Sequence, residues 1–313
     1  MAEEQVRDNF HCGWVALMGP PNAGKSTLLN ALIGQKVTIV TPRPQTTRNQ
    51  IVGILTDADA QIIFMDTPGV AKMRGHLNKS MIQAVWQSLA RANVNMLVLD
   101  AQLYINHPEY LERDLVALSD ALADDKRALI IVPNKIDLFA DKSKLLPLLT
   151  KINELWPHAE IYPISAQKND GLEGLKLIIE SKLPIAPPQF PEDQISTAPV
   201  RFMAAEIVRE KLFLHLRQEV PYGIAVEVEK WEENGERNLT VIHAVIYVAR
   251  EAYKAMIIGK NGEGIKEIGT EARKDIEELL GTRVHLELWV KVRQDWMDDP
   301  AFVQELERSS QGE

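Results

Sequence analysis

A single cysteine, Cys12, stands among 313 residues. That excludes an intramolecular disulfide and a cysteine-based metal site, and it agrees with a reducing cytoplasm. Nowhere does the chain run for the roughly 20 apolar residues that a spanning helix needs. The first ten residues, MAEEQVRDNF, carry acidic groups and no apolar core, so they do not read as a secretory signal. Positive charge is scarce as well. Lys and Arg number 35 against 44 Asp and Glu, a formal net charge of −9. A broadly basic nucleic-acid surface is excluded, and any such binding must come from a local patch. There is no internal repeat and no low-complexity tract. The histidines at 11, 76, 107, 158, 215, 243 and 285 show no ligand spacing, which points to surface or packing roles.

The length exceeds what one hydrophobic core usually holds, and 45% hydrophobic residues can fill two cores. Prolines at 184, 187, 188, 191 and 199 mark the natural boundary. Such a stretch is extended and semi-rigid, because proline neither donates a backbone hydrogen bond nor continues a helix. The expected division is a first domain over 1–183, a proline-rich linker over 184–199, a second domain over 200–300 and a C-terminal tail over 301–313.

The first domain announces its chemistry at Gly19-Pro20-Pro21-Asn22-Ala23-Gly24-Lys25-Ser26. This is the phosphate-loop pattern G-x-x-x-x-G-K-[ST], set between a strand-like run, Trp14 to Met18, and a helix-like run, Ser26 to Ile33. Glycine lets the backbone curl so that successive N–H groups face one anion, and the helix adds its positive end. Pro21, Asn22, Ala23, Gly24, Lys25, Ser26 and Thr27 are therefore expected around the phosphates of a nucleoside triphosphate. Lys25 supplies a point charge, and the Ser26 hydroxyl ligates Mg²⁺.

Asn134-Lys135-Ile136-Asp137 follows the apolar run Ala128 to Pro133 and suits guanine. The Asp137 carboxylate accepts from guanine N1–H and the exocyclic amino group, a donor pair adenine does not offer. At about 1.5–3 kcal/mol per charged hydrogen bond, two bonds discriminate by roughly 10²–10⁴. Lys135 lays its stem on the base. Ser165 and Ala166, after the run Ile161 to Ile164, offer a backbone N–H to the guanine carbonyl. The alternative for Ser165 is a plain helix-capping turn.

A γ-phosphate sensor is expected at Asp66-Thr67-Pro68-Gly69, after the strand-like run Gln61 to Met65. Asp66 holds Mg²⁺ through water, and the Gly69 N–H reaches the γ-phosphate, so the loop orders with GTP. Upstream, TPRPQTTR at 41–48 is polar and proline-rich, a mobile loop by composition. One of its threonines completes the Mg²⁺ shell, with Thr47 favoured over Thr46.

The ordered set GPPNAGKS, TTR, DTPG, NKID and SAQK resembles the translation-factor-class GTPases. In Ras-type members a glutamine after the switch glycine orients the attacking water. Val70 stands there in this chain, so the sequence names no catalytic base, and slow intrinsic turnover is expected. Some relatives use K⁺ near the phosphates with an asparagine at the position of Asn22. K⁺ stimulation is thus implied by the resemblance alone.

The second domain carries a G-x-x-G within Met256 to Ile265. Helical patterns flank it, Glu251 to Ile258 and Gly264 to Leu280. Ahead of them lie a helix-like segment, Ala204 to Leu216, and strand-like segments, Gly223 to Glu229 and Leu239 to Val248, separated by a turn at Asn234-Gly235. A strand, Arg283 to Val292, closes the set. This α-β-β-α-α-β order is the type II KH arrangement, whose GxxG loop clamps single-stranded nucleic acid. Ile258, Gly259, Lys260, Asn261, Gly262 and Ile265 are the expected contacts. From 250 to 274, six cations oppose four anions, a net +2. That favours readout of unpaired bases over bulk phosphate attraction. The tryptophans at 156, 231, 289 and 296 are expected in core or interface packing, and Phe202, Phe213 and Leu216 as a core stripe.

Across residues 13–296 the chain resembles the bacterial ribosome-assembly GTPases that join a translation-factor-class G domain to a type II KH domain. PQTTR at 44–48, DTPG at 66–69, REKLFLHLRQEVPYGIAVEVEKW at 209–231, IIGKNGEGIKEIG at 257–269 and WVKVRQDW at 289–296 carry that resemblance. Pro20 and Ala23 stand where the family often has Arg and Val, which removes no liganding group. The resemblance implies an α/β phosphate-loop domain with a mixed, mostly parallel sheet, followed by an α+β KH domain. It implies GTP and GDP with Mg²⁺, hydrolysis of GTP, binding to the single-stranded 3′ end of 16S rRNA and a role in 30S subunit maturation. A cytoplasmic chain without a stable oligomer is expected. The family leaves room for peripheral inner-membrane contact, for which no basic amphipathic helix argues here. Two rivals stay open: a KH assembly scaffold whose nucleotide is structural, and a signalling GTPase with a protein-binding second domain.

Overall fold

The computed structural model describes residues 9–43, 46, 48, 51–67, 88–123, 126–216 and 220–311. They fall into two compact units that part between Thr197 and Ala198, with Ile39–Thr46 grouped in the second.

The first unit is a six-stranded sheet in the order β2-β3-β1-β4-β5-β6. The strands are β1 (His11–Met18), β2 (Ile51–Thr56), β3 (Ala60–Asp66), β4 (Val94–Asp100), β5 (Ala128–Asn134) and β6 (Glu160–Ile161). All neighbours are parallel except β2 with β3. Strands buried on both faces read as continuous apolar runs, as in Met96 to Leu99. One face meets α1 (Lys25–Ile33) and α5 (Leu172–Lys182) through Val15, Leu17, Leu28, Leu175 and Ile179. The other meets α2 (Ala101–Asn106), α3 (Glu109–Ala123) and α4 (Leu146–Leu155) through Ala16, Met18, Tyr104, Leu111 and Leu148. Because the strands are parallel, the ends at Met18, Asp66, Asp100 and Asn134 lie along one edge, where ligands of such sheets gather.

Two local readings change. The run Ile161 to Ile164 is a regular strand only at Glu160–Ile161. Pro163 has no N–H to give, yet Tyr162 and Ile164 still donate to Ile131 and Pro133 carbonyls at 2.9 Å each. The proline-rich stretch is bonded along the first unit as far as residue 197. Cys12 N donates to Pro184 O at 3.0 Å, Ile54 N to Ile195 O at 2.8 Å, and Ser196 Oγ to Val52 O at 2.8 Å. The buried Gln61 side chain accepts from the Gln189 and Phe190 amides and donates to Phe190 O. The stretch thereby covers the exposed edge of β2, a common way to blunt an edge strand.

The second unit packs α6 (Val200–His215), α7 (Glu251–Ile258) and α8 (Glu263–Leu280) on one face of a sheet ordered β7-β8-β9. β7 (Ile224–Asn234) and β8 (Leu239–Val248) are antiparallel, while β8 and β9 (Arg283–Val292) are parallel. β7 runs beyond Glu229 because a register shift between Val228 and Lys230 lets pairing continue and returns Trp231 to the core side. Asn234 closes the turn by accepting from Arg237 N at 3.1 Å.

The expected core stripe of Phe202, Phe213 and Leu216 is buried. Trp156 and Trp296 are buried as well, but Trp289 is 58% exposed. Strand parity is the reason: Leu288 and Val290 take the core side of β9, so Trp289 faces away. On that outer face α9 (Pro300–Gln311) seats Phe302 against Trp296 and Tyr247.

Candidate nucleotide site and nucleic-acid groove

The loop from Gly19 to Gly24 joins β1 to α1 at the ligand edge of the sheet. Gly24 sits at φ +92° as the N-cap of α1, and a Cβ there would lie 2.4 Å from Asn134 Nδ2. Only glycine fits, on both backbone and steric grounds. Asn22 is left-handed at φ 61° and exposed; Ala23 is buried beneath the loop. The loop offers backbone amides, with Pro21 and Thr27 half-buried at its flanks. Lys25 is 6% exposed, and its Nζ donates to the Gly19 and Pro20 carbonyls at 3.0 Å each. Burial pushes its ammonium down to about 8, against the pull of Asp66 the other way.

Beside it, Ser26 Oγ donates to Asp66 Oδ2 at 2.8 Å, and Thr38 Oγ1 to the same oxygen at 3.4 Å. Asp66 and Thr38 are both fully buried. Hydroxyl and carboxylate oxygens are the donor set Mg²⁺ takes, so these residues fit the ion. Thr38 was not foreseen. Asn30 fixes its backbone by accepting from Val37 N and Thr38 N and donating to Thr38 O, contacts that no spacing rule signals. Thr67, expected at the switch, turns its hydroxyl to Leu17 O at 2.6 Å. Thr46 Oγ1 donates to Arg43 O at 2.9 Å and pairs with Thr41 Oγ1 at 2.6 Å. Thr47, Pro68, Gly69 and Val70 lie outside the described residues.

The base end is held by one buried amide. Asn134 Nδ2 donates to Ala23 O at 3.0 Å, while its Oδ1 accepts from Lys135 N at 2.8 Å and Ala166 N at 3.0 Å. The residue therefore serves the site by joining three loops. Lys135 is left-handed at φ 69°, and its Nζ donates to Asp100 Oδ2 at 2.6 Å. Ser165 Oγ donates to Asp137 Oδ1 at 2.5 Å and accepts from Lys168 N. Ser165 also exchanges backbone hydrogen bonds with Asp170 at 3.0 Å each, which closes the turn ahead of α5, while Gly171 and not Ser165 is the N-cap of that helix.

In the second unit, Gly259 at φ 71°, ψ −177° ends α7, and Gly262 at φ 80° opens α8. The first conformation is nearly restricted to glycine, and a Cβ there would meet Gly264 N at 2.9 Å. Between them Asn261 is left-handed at φ 54°, and Lys260 is exposed. Ile258 is half-buried beside the loop, and Ile265 lines an open groove of about 300 Å³. Lys266, Gly269, Thr270 and Arg273 of α8 and Leu286 and Leu288 of β9 complete it. An apolar floor with a basic rim suits unstacked bases and their phosphates. Sequence reasoning missed the residues past Ile265. Their one signal was the recurrence of small and basic side chains every three to four positions along α8. Nor did spacing foretell that His215 meets Glu271 at 2.9 Å and Glu267 at 3.8 Å, beside the Lys211–Asp275 pair at 2.6 Å.

A phosphate-loop GTPase unit followed by a KH module is the class these folds and sites define. The family described as 50S ribosome-binding GTPase matches residues 14–135, and the KH domain family matches residues 219–297. The chain is 68% identical to GTPase Era of Desulfovibrio desulfuricans, covering 95% of this chain and 97% of that protein. It is 61% identical to GTPase Era of Nitratidesulfovibrio vulgaris, covering 96% and 98%. Two solved structures overlay it at 41% identity, each covering 94% of this chain and 98% of the other. One is a variant Aquifex aeolicus Era bound to GDP·AlF4⁻, with a TM-score of 0.86. The other is Era in complex with MgGDPNP and nucleotides 1506–1542 of 16S ribosomal RNA, with a TM-score of 0.87. The chain belongs to the GTPase Era family.

Proposed function

We propose that this GTPase is a nucleotide-dependent switch that takes the single-stranded 3′ end of 16S rRNA into the groove beside Gly259–Gly262 and so assists maturation of the 30S subunit. The observation that carries the reading is the coexistence, in one chain, of a buried guanine-nucleotide cradle and a GxxG groove with an apolar floor. The related Era bound to 16S RNA supports the choice of RNA.

In this reading residues 1–183 form the GTPase domain and 200–300 the RNA-binding domain. Pro21 flanks the phosphates, and the amides of Asn22 to Thr27 and the Lys25 ammonium hold them. Ser26, and Asp66 through water, would hold Mg²⁺ together with a switch threonine, and the ion would supply charge screening on the phosphates. Asp137, steadied by Ser165, reads the guanine edge. Gly69 senses the γ-phosphate, and an exposed Asn22 leaves room for a K⁺ ion. With no side chain assigned as base, turnover is slow and depends on positioning.

Coupling is supported by the segment Ile39–Thr46, which packs with α6 inside the second unit. Val40 N donates to Glu210 Oε1 at 3.0 Å, Arg209 donates to Thr46 O at 2.5 Å, and Arg43 donates to Leu216 O. Arg209 is itself buried and paired with Glu206 at 2.5 Å. This segment belongs to the nucleotide-sensing loop, so its conformation would bias α6. The chain is taken to act as a single copy in the cytoplasm. Among the described residues no helix is long and apolar enough to cross a membrane, and none of them gives support for peripheral membrane contact.

The test is binding of an oligonucleotide matching the 3′ end of 16S rRNA, with GDP and then a non-hydrolysable GTP analogue. Tighter binding in the GTP state supports the switch. Equal binding in both states removes the switch and leaves a scaffold, and no binding removes the RNA claim.

A further inference from the structure

We propose that Asp100 is a positioning residue for guanine binding: it anchors the Lys135 ammonium so that the lysine stem lies ready over the base. The inference rests on the reading of Lys135 as the base-stacking residue.

Asp100 ends β4 and stands in register with Asn134, the last residue of β5. Parallel pairing therefore puts its side chain beside the guanine-recognition loop, although 35 residues separate it from Lys135. Its two oxygens have different partners. Oδ1 accepts from Leu103 N at 3.1 Å and caps α2. Oδ2 takes the Lys135 ammonium at 2.6 Å, with both side chains largely shielded, 16% and 32% exposed.

A lysine on a flexible four-carbon stem samples many rotamers, and ordering it on a base costs binding free energy. Here both ends of the stem are fixed by bonds within the chain itself. The backbone end is held at φ 69° by the Lys135 N–H bond to Asn134 Oδ1. The ammonium end is held by Asp100, which α2 holds in turn. Preorganisation of this kind raises affinity by lowering the ordering cost at the moment of binding.

The two oxygens let the anchoring role be separated from the cap. Asn is as good an N-cap as Asp, so Asp100→Asn keeps α2 capped and removes the negative charge facing Lys135. Asp100→Ser keeps the cap too and is too short to reach the ammonium. Dissociation constants for GDP and IDP are measured by calorimetry on the full chain, with Lys135→Met and the Lys135→Met/Asp100→Asn double variant alongside. A charge-assisted bond that is about a quarter exposed should be worth roughly fivefold to twentyfold in affinity.

The expected result is that loss for GDP and IDP alike, an unchanged GDP-to-IDP ratio, a melting temperature lowered by no more than a few degrees, and no further loss when Asp100→Asn is added to Lys135→Met. The ratio matters because a stem stacked on the ring plane does not read the 2-amino group, whereas Asp137 does. Wild-type affinity in both Asp100 variants overturns the proposal. So does full additivity with Lys135→Met, or a changed ratio, because Asp100 would then act through something other than Lys135. Absence of any guanine preference in the wild-type chain would instead sink the nucleotide reading itself.

Discussion

Asn134 donates its side-chain amide to the main-chain carbonyl of Ala23 at 3.0 Å, across 111 residues of sequence. The same amide accepts from Lys135 N and Ala166 N. One 2%-exposed side chain thus ties the phosphate loop to both base loops. Asn134→Ala would strand a carbonyl and two N–H groups in a site with little water. At about 1–3 kcal/mol for each unsatisfied group, with partial relaxation, the first unit should lose roughly 2–4 kcal/mol. GDP affinity should fall by at least about 100-fold, since both ends of the nucleotide site loosen. Denaturant unfolding and GDP calorimetry check this, and a variant with wild-type values in both would refute the hub role.

Lys25 makes nucleotide binding and stability depend on pH. Without nucleotide its ammonium is lowered from the ordinary 10.5 to about 8 by burial. Between those values the unfolded chain binds more protons than the folded one, so stability rises with pH across that window. Going from pH 7.5 to 9.5, the nucleotide-free protein should gain about 1–2 kcal/mol relative to Lys25→Met. Bound phosphates keep the lysine charged, so GDP binding takes up a proton above pH 8. Affinity should then fall by up to about tenfold per pH unit. A GDP affinity flat to pH 9.5 would show that Lys25 keeps its proton in the empty site.

Gly262→Asp isolates RNA binding from folding. No heavy atom lies within 4 Å of a Cβ at Gly262, and its φ of +80° is close to the left-handed region that Asp tolerates. The substitution should cost no more than about 1–2 kcal/mol of stability. A carboxylate placed where the loop meets the backbone of the nucleic acid should weaken oligonucleotide binding by about tenfold or more. Fluorescence anisotropy against the 3′-terminal 16S sequence reads this out, and GTP turnover without RNA should stay at the wild-type rate. Undiminished RNA affinity would place the interface elsewhere.

Phe302 makes the C-terminal helix part of the second unit's packing. It is 1% exposed, sits edge-on to Tyr247 at 5.0 Å and to Trp296 at 6.1 Å, and lies under the Arg293 guanidinium at 3.8 Å. Phe302→Ala should destabilise this unit by about 2–4 kcal/mol, and Trp296 should gain exposure. Chemical denaturation followed by tryptophan emission tests it. A change below about 0.5 kcal/mol would mean that the helix rests on the sheet without contributing.

Legibility in the sequence followed contact range. GPPNAGKS and NKID could be read because a phosphate loop and a base loop each complete themselves within a few residues, by backbone geometry that glycine and asparagine encode locally. IIGKNGEG was readable for the same reason. Thr38, Asp100, Arg273 and Leu288 were not. Each acquires its place from a partner far along the chain: Asp66 for Thr38, Lys135 for Asp100, and the pairing of α8 with β9 for the groove. Pro184 to Pro199 misled in a different way. Proline content tells of an extended backbone, but not of which sheet edge that backbone will meet.

The sequence by itself determined the class of the protein. Local motifs in a set order, alternating with apolar runs of strand and helix period, specify a phosphate-loop GTPase unit and a KH unit, because those signals depend on bonds within a turn or two. Only the tertiary structure decided which side chains hold those motifs in place. Asn134 became a hub, Asp100 the anchor of Lys135, and Leu286 and Leu288 the floor of the groove. Strand register and helix packing set those distances, and neither is a property of any single segment.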